Sequence, residues 1–332
     1  MIHPRALVCA AVCTFVFAGG AGAQSVISAH SGVIHYLEGD VTIDGTAVHP
    51  KFAEFPDLTS GQLLATEEGR AEMLLTPGVF LRLSENSSVR MLSNALADTR
   101  LEIVSGSALV EVGELLEHNA IAFEAAGAHI SLAKKGLYRI DASPAQLRVY
   151  DGQALVRAGS ESLTAKKGHQ IDLETAKLTD ARFDTKDTDA FYRWSARRAE
   201  YVAAANVISA RVTANSNSRY GYASSGSAWS WNPYFGMYTF LPGSGVYSSP
   251  FGSYFYSPGV VNYVYFPQRS FTGPSTVGVP PTMGAPRTAA PGTFGGRGYS
   301  GGGAPIGRGT FNGASHASAP VGIAHGPARA GR

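Results

Sequence analysis

The chain has 332 residues, a hydrophobic content of 44% and a formal net charge of +2, enough apolar material for a sizeable core and no charge excess that would forbid one. Cys9 and Cys13 are its only cysteines, which excludes a disulfide-stapled framework. The modest total hides an asymmetry: from Tyr201 onward there are eight arginines and no Asp, Glu or Lys, whereas residues 24–200 hold 18 basic and 25 acidic residues, net −7. An acidic body followed by a basic tail favours contact between the two or with an anionic surface.

Residues 1–23 open with Arg5, continue as an apolar run from Ala6 to Phe17 and end in small residues at Ala21 and Ala23. That is the layout of a secretory signal cleaved after Ala23, with an uncleaved inner-membrane anchor as the alternative. The run is short for a membrane span, and no longer apolar segment follows it. A periplasmic or secreted protein is therefore expected, with both cysteines removed from the mature chain.

Residues 24–182 read as one β-domain. Short alternating segments recur about every ten residues, among them 40–44, 71–75, 79–84, 88–92, 100–104 and 108–112, then 120–125, 129–133, 137–141, 146–150, 154–158 and 170–174. In 79–84, Phe80 and Arg82 share one face and Val79, Leu81 and Leu83 the other, which predicts a strand with one face inward. Glycines at 39, 106 and 152 precede such strands, and Ala-Lys-Lys-Gly occurs twice, at 133–136 and 165–168, as recurring hairpin geometry. The spacing predicts an all-β fold, an antiparallel jelly roll or stacked β-roll.

Residues 183–214 change period. An Asp or Thr cap leads into apolar positions three and four apart, an amphipathic helix whose face is marked by Phe191, Trp194 and Tyr201 and whose arginines 193, 197 and 198 are placed to meet the acidic body. A docking helix is the plain expectation, and peripheral contact with a membrane surface the sharper one. Residues 215–271 are rich in rings, Gly, Pro and Ser, with seventeen aromatic residues between Tyr220 and Phe271. Trp229, Trp231, Tyr234, Phe235, Tyr238, Phe240, Tyr247, Phe251, Tyr254, Phe255 and Tyr256 form a candidate docking surface for this chain's own body, a partner protein or a glycan. Residues 272–332 are Gly/Pro/Ala-rich, so the chain is expected to end in a low-complexity, largely disordered tail.

Chemistry is harder to find. His35, His49, His118, His129 and His169 are scattered and read as surface or strand-end residues, and Glu67 and Glu68 point to opposite faces of any strand. Gly296–Gly301 matches GxGxxG and Gly298–Gly302 matches GxSxG, but both lack the strand and helix their chemistry requires. The arginine-glycine pattern around Arg297 and Arg308 suits nucleic acid, against which export argues. No catalytic residue, metal site or cofactor is expected; an enzyme acting on envelope polymer would have to rely on groups such as Asp40 or Asp151.

The succession through residues 58–92, 101–112, 128–141 and 147–173 resembles the FecR domain family, named after a periplasmic regulator of iron-citrate uptake. The matching parts are Gly69–Leu75, Pro77–Leu83, Gly106, Gly136–Ile140, Gly152–Val156 and Gly168, spread over about half of the chain. The resemblance implies an all-β roll that binds protein partners and has no catalytic centre. Regulatory members carry a cytoplasmic sigma-factor segment and a membrane helix before this domain; here an apparent signal stands in their place. A non-enzymatic binding or scaffold protein of the bacterial cell envelope is thus expected, with protein or glycan partners. The alternative is a periplasmic signalling component that senses an outer-membrane receptor.

Overall fold

The computed structural model describes residues 30–49, 51, 53–174, 177–220 and 226–265, with the side chains of 217–220 left out. The expected signal segment 1–23 and the tail 272–332 lie outside the described residues. The strands of the body are β1 (Val33–Ile43), β2 (Thr46–Ala47), β3 (Leu63–Leu74), β4 (Val79–Leu83) and β5 (Ser88–Ala95). They continue with β6 (Asp98–Ser105), β7 (Ser107–Val112), β8 (Ala120–Ala125), β9 (Ala128–Leu132) and β10 (Gly136–Ala142). The last five are β11 (Ala145–Asp151), β12 (Gln153–Ala158), β13 (Glu161–Lys166), β14 (His169–Asp172) and β15 (Thr179–Arg182).

All fifteen strands belong to one sheet, which forks at β3. β1 pairs antiparallel along almost the whole of β3, from Val33↔Leu74 to Ile43↔Leu64. The opposite edge of β3 is shared: Leu63–Ala65 pairs with β5 and Ala71–Leu74 with β4. The bend between these halves falls where Gly39 faces Gly69 next to a register shift. Gly39 has φ +67°, and a Cβ there would lie 2.0 Å from the Glu68 carbonyl oxygen; one on Gly69 would lie 2.6 Å from that of Glu38. Two backbones pass too closely here for any side chain, and the bulge turns one long ribbon into the origin of two wings.

One wing runs β5-β6-β8-β9-β12-β13 and the other β4-β7-β10-β11-β14-β15. Their facing surfaces enclose the main core, including Met73, Leu81, Val110, Phe123, Ile130, Tyr138, Leu147 and Ile171. At the far end β13 comes back beside β14, and the Glu161 carboxylate accepts the Leu178 N–H at 2.8 Å, so the sheet nearly closes on itself. The expected all-β roll is present, with one departure from antiparallel pairing: β6 and β8 run parallel, because β7 crosses to the other wing between them.

The outer faces of the wings differ. On β5 and β6 the alternation is one-sided, with Leu92 and Val104 left in solvent. On β4, Val79, Leu81 and Leu83 enter the core, yet Phe80 and Arg82 on the opposite face are equally buried. The single inward face expected from the alternation is therefore corrected to two. The second cover consists of α1 (Ala190–Tyr220) and the aromatic segment after it. The edge strand β15 ends just before the composition break at residue 183, and the helix starts later than that break, at Ala190, and runs beyond 214. Asp189 caps it, its carboxylate accepting the Tyr192 N–H at 2.8 Å.

Candidate functional site

The aromatic segment is cut by its prolines into pieces just long enough for short strands. β16 (Ala228–Asn232) and β17 (Met237–Leu241) form one hairpin, β18 (Val246–Ser248) and β19 (Tyr254–Tyr256) a second, and α2 (Pro258–Val264) follows. Pro233 and Pro250 sit in the two turns, Pro242 ends a strand and Pro258 starts a helix, all positions that need no backbone donor. In the first turn the Asn232 side-chain oxygen accepts the N–H groups of Tyr234 at 3.0 Å and Phe235 at 3.2 Å.

These hairpins lie over the outer face of the β4 wing. Trp229, Tyr238, Phe240, Tyr247 and Phe255 are buried against Val33, Leu74, Phe80 and the Val202 side of α1. The Trp229 ring meets Phe80 edge-on at 5.0 Å, and Phe255 lies 6.3 Å from Phe80. Two body glycines admit the rings: a Cβ on Gly78 would be 2.8 Å from the Phe240 ring, and one on Gly113 2.9 Å from the Tyr247 ring. Trp231 is half-buried against Phe55, and Phe251 against Tyr192. Tyr256 is half-buried beside Tyr265, and Phe235 packs on Tyr201. Tyr234 and Tyr254 point outward, 79% and 53% exposed.

On α1, Phe191 and Trp194 are buried, joined by Ser195, Arg198, Ala199, Val202, Ala205 and Asn206 at helical spacing. Tyr201, three residues from Arg198 and seven from Trp194, lies along the same side of the helix but at its rim, and is 47% exposed. Polar groups fasten the roof to the helix. The Asn206 side chain donates to the carbonyls of Phe240 and Tyr256, at 2.8 and 3.0 Å, and accepts the Tyr256 N–H at 2.7 Å. Thr239 donates to the Val202 carbonyl at 2.7 Å.

Beneath the roof runs a row of ionisable side chains across four adjacent strands: His35 on β1, Glu72 on β3, Arg82 on β4 and Glu111 on β7. Arg82 donates from Nε to Glu72 at 2.8 Å and from Nη1 to Glu111 at 2.9 Å. Arg198 reaches down from α1 to Glu72 at 2.8 Å, its guanidinium 3.9 Å from the centre of the Tyr36 ring. The other Glu111 oxygen accepts from Ser249 and, at 3.5 Å, from Tyr247. Phe80 and Phe251 flank the Arg82 guanidinium at 5.3 and 5.7 Å. Two carboxylates and two guanidiniums balance in charge, and three separate parts of the chain contribute to the one cluster.

His35, expected at a surface or strand end, is buried in this row. Its Nδ1 faces Glu72 at 3.0 Å and its Nε2 faces the Tyr238 N–H at 3.0 Å. A backbone N–H needs an acceptor, so Nε2 carries no proton, and Nδ1–H donates to Glu72. Burial, ahead of the opposing pull of Glu72, lowers the His35 pKa from 6.5. For Glu72 burial is the largest influence and favours the neutral acid, but Arg198, Arg82 and His35 together hold its carboxyl well below the ordinary 4.5.

No family model matches the sequence, and no curated protein matches it. Among solved structures, the chain is similar to two crystal structures described as a "putative anti-sigma factor" from Parabacteroides distasonis ATCC 8503, at 1.65 and 2.50 Å resolution. Identity is 13% and 14%, the TM-scores are 0.32 and 0.33, and each match covers 37% of this chain. This chain spans 59% and 61% of the length of those two.

Sequence reasoning found the rings and missed their polar anchors. Glu72 and Glu111 are polar residues at strand positions where the alternation asks for solvent, and Asn206 on the helix and Ser249 in a turn carry no local signal beyond being polar. Among the described residues no group of three or more His, Cys, Asp or Glu is arranged to hold a metal ion, and no helix is long and apolar enough to cross a membrane.

The buried row predicts acid sensitivity with a definite sign. Both folded pKa values are depressed, so their contribution to stability is complete above the unfolded values. The His35 part is lost as pH falls below about 6.5 and the Glu72 part as it falls below about 4.5. Calorimetric Tm is expected to drop from pH 7 to pH 5.5, and His35→Gln to flatten that upper stretch. An unaltered slope in the variant would contradict the assignment.

Proposed function

We propose that the protein is a non-enzymatic, exported binding or scaffold protein of FecR-domain type, acting at the bacterial cell envelope through protein or glycan contacts. One observation carries this reading: the ionisable groups gathered in the row from His35 to Glu111 are neutralised by one another and roofed by rings, spent on holding two layers together. The roof meanwhile turns Tyr234, Tyr254 and Tyr263 to solvent, the last 81% exposed. Flat apolar rings with polar tips on a rigid base suit recognition of protein or sugar.

Co-sedimentation of the full chain with isolated envelope tests it. The protein is expected in the envelope pellet, with retention falling about tenfold in Tyr234→Ser/Tyr254→Ser/Tyr263→Ser at unchanged Tm. Equal retention of the triple variant would overturn the role of the rings. Turnover of envelope polymer by the purified protein, abolished by Glu111→Gln in a variant that still folds, would overturn the non-enzymatic reading.

A further inference from the structure

The repeated Ala-Lys-Lys-Gly motif acquires a meaning in three dimensions. The first copy spans the β9–β10 connection and the second runs from the end of β13 into the turn before β14, and β12 lies between β9 and β13. On one side of β12, Ala133 and Lys134 donate their N–H groups to the Gln153 carbonyl at 2.9 and 3.3 Å; on the other, Gln153 is the register partner of Lys166. The Tyr138 hydroxyl fixes the junction, donating to the Lys134 carbonyl at 2.5 Å and accepting the Gln153 N–H at 2.9 Å. With strands about 4.8 Å apart, both lysine pairs stand within about 10 Å of each other at one end of the roll.

Four of the chain's seven lysines are therefore gathered at this end of an otherwise acidic body. All four are exposed. Lys167 pairs with Asp151 at 3.1 Å, while Lys134, Lys135 and Lys166 make no ion pair among the described residues. Beside them opens a groove of about 570 Å³ with Lys134 and Lys135 on one wall and Pro242, Gly243, Val246 and Tyr247 of the roof on the other. Its carboxylate, Glu114, accepts from Ser227, whose Oγ in turn accepts the Gly243 N–H at 2.9 Å, so that wall is stitched to the body.

We infer that this groove binds a linear acidic glycan, with sugar carboxylates on Lys134 and Lys135 and the apolar ring faces against Val246 and Pro242. The volume falls in the range of small-ligand sites. Charge chooses an anionic occupant and rules out the chain's own arginine tail. Concavity disfavours a flat bilayer, and Phe240 and Tyr247 are too deeply buried to offer the open ring faces on which nucleobases stack. The inference deepens the envelope-binding reading and rests on it for the ligand's setting.

Titration calorimetry of the full chain with polygalacturonate tests it, with dextran as the neutral polymer and polyphosphate as the non-sugar polyanion. Binding to polygalacturonate is expected, weakening as salt rises and at least tenfold in Lys134→Glu/Lys135→Glu, while Lys51→Glu, far from the groove, behaves as wild type. Val246→Asp should also weaken it, with Tm unchanged. No binding, or binding indifferent to the lysine pair, would overturn the site; equal affinity for polyphosphate with the same lysine dependence would overturn the glycan. If Lys134→Glu/Lys135→Glu loses polygalacturonate yet still sediments with envelope, the groove stands apart from the ring surface, and both readings survive separately.

Discussion

Ending the chain after Ala214 is expected to give a protein that keeps the strands of its body but melts roughly 6–20 °C lower and binds a hydrophobic dye that the full chain ignores. The cut removes Trp229, Phe240, Tyr247 and Phe255, four buried rings that contribute on the order of 10 kcal/mol of gross apolar burial. Much of that is offset by the entropy of ordering the segment, which leaves a net loss of about 3–5 kcal/mol, at roughly 2–4 °C per kcal/mol. More telling is what the cut uncovers. Phe80, Leu74 and Val33 lose their cover, Glu111 loses Ser249 and Tyr247, and His35 loses the Tyr238 N–H. Circular dichroism separates this outcome from global unfolding, because the main core between the wings does not involve the removed residues. A truncated protein with unchanged Tm and no dye binding would show that the roof contributes nothing to the body.

How far the sequence discloses this arrangement depends on where each signal resides. Ten-residue spacing and period-two alternation are local, and each predicted segment from 71–75 to 170–174 overlaps an observed strand, running past its end by one or two residues at 75, 84, 133 and 173–174. β13 and β15 escaped because their burial is partial or absent, so alternation in composition has nothing to report. The two-sided burial of β4 is not local at all: Phe80 and Arg82 are covered by residues about 150 positions away, and Val-Phe-Leu-Arg-Leu reads the same with or without that cover. A strand apolar at nearly every position is the one hint, as strands buried on both faces read that way. The ring segment could be recognised as needing a surface, since its composition is that of a core; which surface was chosen depends on Gly78 and Gly113, the two body positions flat enough to receive Phe240 and Tyr247.

Electrostatics explains why the cover is specific rather than merely greasy. Rings alone would slide over the outer face of the wing. Arg198 from the helix and Ser249 from the second hairpin each reach a different carboxylate of the same row, and His35 accepts from the first hairpin. Each element thereby finds its register through a polar contact that a shifted docking would leave unsatisfied in a dry interior, where an unpaired group costs about 1–3 kcal/mol or more.

Arg82 is the residue on which this row turns, and Arg82→Met is expected to cost about 3–5 kcal/mol while preserving the side chain's volume. Glu72 would keep Arg198 and His35, but Glu111 would be left as a buried carboxylate with two hydroxyl donors and no cation. The penalty is the stranded charge rather than the lost pair, so removing the charge should undo it. Arg82→Met/Glu111→Gln is expected to recover all but about 1 kcal/mol in urea unfolding, since a buried pair replaced by neutral groups of similar shape is often close to neutral. If the double variant were no more stable than Arg82→Met, packing of the guanidinium between Phe80 and Phe251 would be the larger effect, and the row would be a consequence of the docking rather than its guide.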